Sequence, residues 1–134
     1  MTISIDQIWE PFDVAKNDDL IIKYRTKLHR KVGSERHNRH HVSQKIRELA
    51  RLLIAVRKVK KEVVTLSDCI DTGHFPAVVN GVQHITGYNK EKQKYATPSL
   101  ALKLGQSLKI CAGILKADAL LSKNKKQQER ADSF

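Results

Sequence analysis

The chain has 134 residues, a formal net charge of +11, 40% hydrophobic residues and only 5% aromatic residues. This length allows one domain with a single hydrophobic core, and the scarcity of aromatic residues, proline and glycine favours helices over sheet. The longest apolar runs, such as residues 52–56, are far shorter than the roughly 20 residues of a membrane-spanning helix, so we expect no such helix. The acidic N-terminus does not resemble a secretory signal, so we expect an intracellular protein with two reduced, buried cysteines.

The first 17 residues predict an irregular leader. Trp9, Pro11 and Phe12 are expected to dock on the folded body, because a single tryptophan beside a phenylalanine is typical of a packing anchor. The folded domain is therefore expected to begin at residue 18.

Two helices are predicted next. The first opens at Asp18 or Asp19, runs through Lys31 and stops at Gly33, because acidic residues favour a helix start and glycine favours a helix end. The second should cover residues 38–60, where apolar residues recur every three or four positions. These apolar residues are Val42, Ile46, Leu49, Leu53 and Val56.

A short helix and a longer one follow. Thr65 and Asp68 have the spacing of a capping box for a helix ending near Asp71. Pro76 suits the first turn of a helix over about 75–86, and the lysine-rich residues 88–97 predict a loop.

The last predicted helix begins at Thr97-Pro98 and carries a strong leucine stripe over about 98–116. Gly105 and Gly113 within it cost about 1 kcal/mol each relative to alanine, which we interpret as close approach by a neighbouring helix. Leu102 points away from the stripe, so we expect this helix to be buried on two sides. The sequence thus predicts an all-α, single-domain bundle of five or six helices over residues 18–122, packed around this central helix, with a charged tail or linker over 123–134.

Residue patterns typical of enzymes and metal sites are weak in this sequence. His37, His40 and His41 cluster, but no CxxC pair accompanies them, and exposed histidines at the start of a basic helix explain the cluster better than a metal site. The two glycine-rich motifs that bind phosphate groups, GxxxxGK followed by Ser or Thr and GxGxxG, do not occur in the sequence. We therefore predict no catalytic residue, no metal, no cofactor and no small-molecule substrate.

The charge is concentrated in residues 34–61, which hold nine basic and two acidic residues. On a helix, Arg47, Arg51 and Lys58 fall within about 40° of one another, opposite the apolar stripe. Arg57 lies near the stripe and should extend along its edge or pair with a carboxylate. Clustered arginine and lysine on one helix face are typical of phosphate contacts, so duplex DNA is the predicted partner. The predicted contacts are Arg36, Arg39, Arg47, Arg51, Lys58, Lys103, Lys109 and Lys116.

One alternative stays open. A helical bundle that binds another protein, with a basic surface that only keeps it soluble, would show the same charge excess.

Three blocks of the sequence resemble a known family. They are HHVSQKIRELARLLIAVRK (residues 40–58), SDCIDTGHFPAVVNGVQHITGYN (67–89) and TPSLALKLGQSLKICAGIL (97–115). The resemblance, over about residues 20–134, is to uncharacterised animal proteins derived from mobile elements, whose longer members carry a diverged tyrosine recombinase of the Crypton type. It implies a nuclear, non-catalytic, core-binding-like helical module that clamps DNA. It transfers no catalytic residue, because the recombinase residues belong to the downstream module.

Overall fold

The computed structural model describes residues 5–32 and 36–132, and the side chains of residues 10–31, 38–71 and 73–125. This part of the chain folds into six α-helices and one small hairpin, which confirms the predicted all-α bundle of five or six helices. The elements are α1 (Ile5–Asn17), α2 (Asp19–Val32), α3 (Arg36–Val59), α4 (Leu66–Cys69), a 3₁₀ turn (Thr72–His74), α5 (Phe75–Ile85), β1 (Tyr88–Asn89), β2 (Lys94–Tyr95) and α6 (Pro98–Asp132).

Helix α3 lies at the centre of the bundle and packs against each of the other five helices. Its predicted apolar stripe is buried, with Ala50, Leu52 and Ala55 widening the buried face. The prediction that the last helix is central is wrong. Helix α6 buries one face, including Leu104 and Cys111, whereas Leu102 is 70% exposed on the other. A stripe on one side of a helix allows packing on one side only.

The expectation of an irregular leader is also wrong, because residues 5–17 form α1 and include Pro11 within the helix. Proline removes one backbone hydrogen bond and typically costs about 3 kcal/mol there. Burial of Pro11 and Val14 offsets this cost, since α1 packs against α2 and α3. Phe12 is 57% exposed, and the side chain of Trp9 lies outside the described residues.

Asp18 links α1, α2 and α4. Its buried carboxylate accepts a hydrogen bond from the Ile21 N–H at 3.0 Å and another from the Leu66 N–H at 2.9 Å. The first bond caps α2, as predicted, because the opening N–H groups of a helix have no partner within it. The second bond ties the start of α4 to the start of α2.

The connection from α3 to α4 contains the predicted capping box. The Thr65 hydroxyl accepts the Asp68 N–H at 3.3 Å, and the Asp68 carboxylate accepts the Val64 and Thr65 N–H groups at 3.0 Å each. Those backbone bonds lower the pKa of Asp68 below its usual value. Arg57 stays at the edge of the apolar face, and its Nε donates to the Val64 carbonyl at 2.8 Å rather than to a carboxylate.

Helix α5 crosses α3 at Gly81. A Cβ atom at Gly81 would lie 2.8 Å from Val56 Cγ2, so only glycine allows this approach. At Gly105 and Gly113 an added Cβ would meet nothing within 4 Å, so the close approach inferred for these two positions is wrong.

Residues 88–97, predicted as a loop, contain the hairpin. Tyr88 pairs with Tyr95 and Asn89 with Lys94 in antiparallel register. The Asn89 side chain accepts two backbone N–H groups of the turn, which is typical of asparagine in turns.

Helix α6 continues to Asp132, through most of the segment predicted as a charged tail. It is fixed to α2 by the buried Tyr24 and Ser107 hydroxyls, 2.9 Å apart, and by an exposed Lys23–Asp118 ion pair.

Candidate nucleic-acid interface

Three predicted contacts lie together on α3. Arg47, Arg51 and Lys58 are all exposed, and their spacing of four and seven residues places them along one face of a continuous helix. At 1.5 Å per residue they span about 17 Å. We call these three residues the basic strip. His40, also exposed, lies on the same face about five turns before Lys58.

The charges of the basic strip have no ion-pair partner among the described side chains. Among the side chains that the structure describes, no carboxylate forms an ion pair with Arg47, Arg51 or Lys58. Arginine has a planar fork of donors that fits phosphate oxygens, and lysine binds phosphate as a point charge. The strip can therefore offer its hydrogen-bond donors to an external anion without first breaking an internal ion pair.

One side of the strip opens into a cleft of about 600 Å³, which we call the basic cleft. Arg51 and Lys58 line it, joined by Lys90 from the hairpin and by one acidic residue, Glu10. Residues of α5 and Tyr88 of β1 add hydrogen-bonding groups, and apolar residues of α1, α3 and α5 complete the lining. These further residues are Asn80, Gln83, His84, Tyr88, Pro11, Ile54, Ala55, Val59 and Ile85.

Four other predicted contacts, on α3 and α6, lie outside the basic strip and the basic cleft. Arg39 is exposed but lies about 80–120° around α3 from the strip. The side chain of Arg36 lies outside the described residues. Lys103, Lys109 and Lys116 are exposed on α6, and Lys109 lines a separate groove beside Phe75.

Sequence reasoning missed the α5 and hairpin residues of the cleft. Asn80, Gln83 and His84 occupy the face of α5 turned away from its apolar stripe, which by itself predicts only a solvated surface. Lys90 lies in a lysine-rich segment whose contacts cannot be read from spacing. No local pattern relates these residues to Arg51, about 30 or more positions earlier.

Few features of the described residues favour a reactive cysteine, a metal site or a membrane-spanning helix. Burial raises the pKa of the Cys69 and Cys111 thiols to about 12, so both are protonated and unreactive at neutral pH. No group of three potential metal ligands occurs among the described side chains, which do not include that of His37. Within residues 5–32 and 36–132, no helix is both long enough and apolar enough to cross a membrane.

Comparisons of this chain with protein-family models, with curated proteins and with solved structures find no match. The resemblance to mobile-element-derived proteins therefore stays a prediction. The basic strip and the basic cleft are the two features that indicate a function for this chain.

Proposed function

We propose that this domain is a non-catalytic DNA-binding module that contacts the phosphates of duplex DNA through the basic strip. The observation that carries the proposal is the alignment of Arg47, Arg51 and Lys58 on one exposed helix face without a paired carboxylate among the described side chains. The proposal includes a core-binding-like role in a mobile-element-derived protein and a nuclear location.

The arrangement of the cations in the basic strip suits DNA and is not needed for solubility alone. Cations spread over a surface raise solubility wherever they lie, whereas cations aligned along one helix face suit a regular row of phosphates. Each phosphate neutralised releases condensed counterions, so binding should depend steeply on salt concentration.

A charge-reversal experiment tests the proposal. The triple variant R47E/R51E/K58E should lose binding to a fluorescently labelled duplex in an anisotropy titration at about 50 mM salt. The matched control is R25E/K27E/R30E on α2, where all three residues are exposed and the residue types are the same. Both variants have a formal net charge of +5, because each reversal removes two charges from the +11 of the chain.

The control separates a defined interface from overall charge. Under the proposal the α2 variant keeps more of the affinity than the strip variant does. Equal losses would mean that DNA responds only to net charge, and wild-type binding weaker than about 10⁻⁴ M would rule out the DNA proposal.

A groove beside α6 favours the alternative function, binding of another protein. It has a volume of about 630 Å³, and Phe75 at its edge is 66% exposed, as is typical of apolar interaction surfaces. If duplex DNA does not bind, replacing Phe75 by alanine and measuring loss of captured partners from a cell extract tests this alternative.

A further inference from the structure

The basic cleft is a concave surface, which phosphate contacts alone do not require. Phosphates lie on the outside of DNA and can be reached by side chains on a convex helix. The cleft beside Arg51 and Lys58 instead has a volume of about 600 Å³, within the range of sites that enclose small organic groups. A ligand group that projects from the DNA backbone would occupy this concave surface, whereas a backbone phosphate would not need it.

The interior of the cleft fits a planar, partly polar group. Its apolar lining includes Pro11, Ile54 and Ala55. Tyr88, whose ring centroid lies 4.7 Å from that of Tyr95, also lines it. Unstacked bases are held in proteins by apolar and aromatic side chains of this kind.

Two amide side chains provide hydrogen-bonding groups in the same cleft. Asn80 is exposed and Gln83 is half-buried, and neither side chain forms a hydrogen bond within the described part of the chain. A carboxamide carries both donors and an acceptor, which matches the edge of a base. The amides are therefore available to an external group.

The charges of the cleft favour an anionic ligand. Arg51, Lys58 and Lys90 bring three positive charges against the single negative charge of Glu10. Two of these cations belong to the basic strip, so a ligand in the cleft would be continuous with DNA bound on the strip. A base inside the cleft, with its phosphates beside these cations, would match both the cleft lining and its excess of positive charge.

We infer that the basic cleft receives one unpaired nucleobase of the DNA that the basic strip binds. The base contacts the apolar lining, its edge meets Asn80 and Gln83, and the adjoining phosphates lie near the cleft cations. This inference rests on the proposed function. Extracting a paired base from a duplex costs free energy, and an unpaired base avoids most of that cost. The protein should consequently prefer DNA that contains an unpaired base.

The test compares two labelled DNAs, a matched duplex of about 20 base pairs and the same duplex with one extra unpaired adenine. We expect the wild-type protein to bind the bulged DNA about tenfold more tightly than the matched duplex. The N80A/Q83A variant should reduce this ratio towards one. The control variant Q106A/N124A removes one glutamine and one asparagine from exposed positions on α6, and it should keep the ratio.

The outcomes separate the inference from its premise. Equal wild-type affinities for the two DNAs, or an N80A/Q83A variant that keeps the preference, would overturn the inference and leave phosphate binding by the strip intact. Failure to bind either DNA would overturn both. Displacement of bulged DNA by a polyglutamate peptide, but not by single-stranded DNA, would also overturn it by assigning the cleft to an acidic protein.

Discussion

The buried carboxylate of Asp18 makes a quantitative prediction about stability. Its two oxygens accept the backbone N–H groups of Ile21 and Leu66, which lie 3 and 48 residues away along the chain. Replacing Asp18 by alanine removes both acceptors from a site that is only 6% exposed. The two N–H groups then lose their partners at the starts of α2 and α4.

The size of the effect follows from the number of bonds. A buried donor left without an acceptor costs about 1–3 kcal/mol, so the D18A variant should lose about 3–5 kcal/mol of unfolding free energy. For a domain of this size that loss lowers the melting temperature by roughly 10–15 °C. The D18N variant keeps one acceptor oxygen and should lose about half as much, near 2 kcal/mol.

Urea denaturation followed by circular dichroism measures these values. Asp19 provides the control, because its carboxylate is exposed and, among the described side chains, pairs with Lys23 alone, at 3.3 Å. The D19N variant should change the unfolding free energy by less than about 0.5 kcal/mol. A loss below about 1 kcal/mol in D18A, or an equal loss in D19N, would refute the role given to this carboxylate.

The remaining stability predictions concern glycines and one helix cap. G105A should stabilise the domain by up to about 1 kcal/mol, because its Cβ would meet nothing within 4 Å. G81A should destabilise it by about 1–3 kcal/mol, because Val56 is stiff and lies 2.8 Å from the added atom. If chemical denaturation shows that both variants change the unfolding free energy in the same direction, the packing described at these glycines is contradicted. The pKa of Asp68 is lowered in the folded state, so its capping contribution is present above the ordinary pKa of 3.8 and disappears as the pH falls through the folded value. The difference between wild type and D68N should shrink over that acidic range, and a difference independent of pH would contradict this cap.

Local pattern was sufficient for the helices whose signals lie within their own sequence. The stripe of α3 and the capping box at Thr65 are short-range features, and both were predicted. Helix α1 was missed because the burial that stabilises it depends on packing against α3, which local pattern does not show. The central position of α3 likewise depends on how many neighbours surround it, which periodicity does not report.

The same distinction applies to the candidate site. The basic strip could be predicted from residue spacing on one helix. The basic cleft could not, because Asn80 and Gln83 line the same cleft as Arg51 only through the packing of α5 against α3. That packing depends on Gly81, and the sequence shows this glycine only as an ordinary residue of a predicted helix.

The salt dependence of DNA binding tests the central claim most directly. Each phosphate contact contributes about −0.9 to the slope of log K against log salt, so R47A/R51A/K58A should have a slope about 2.7 smaller in magnitude than wild type. The corresponding α2 variant, R25A/K27A/R30A, should keep a slope close to that of wild type. If the strip variant retains the wild-type slope and affinity, the basic strip does not contact phosphates and the proposed function is wrong.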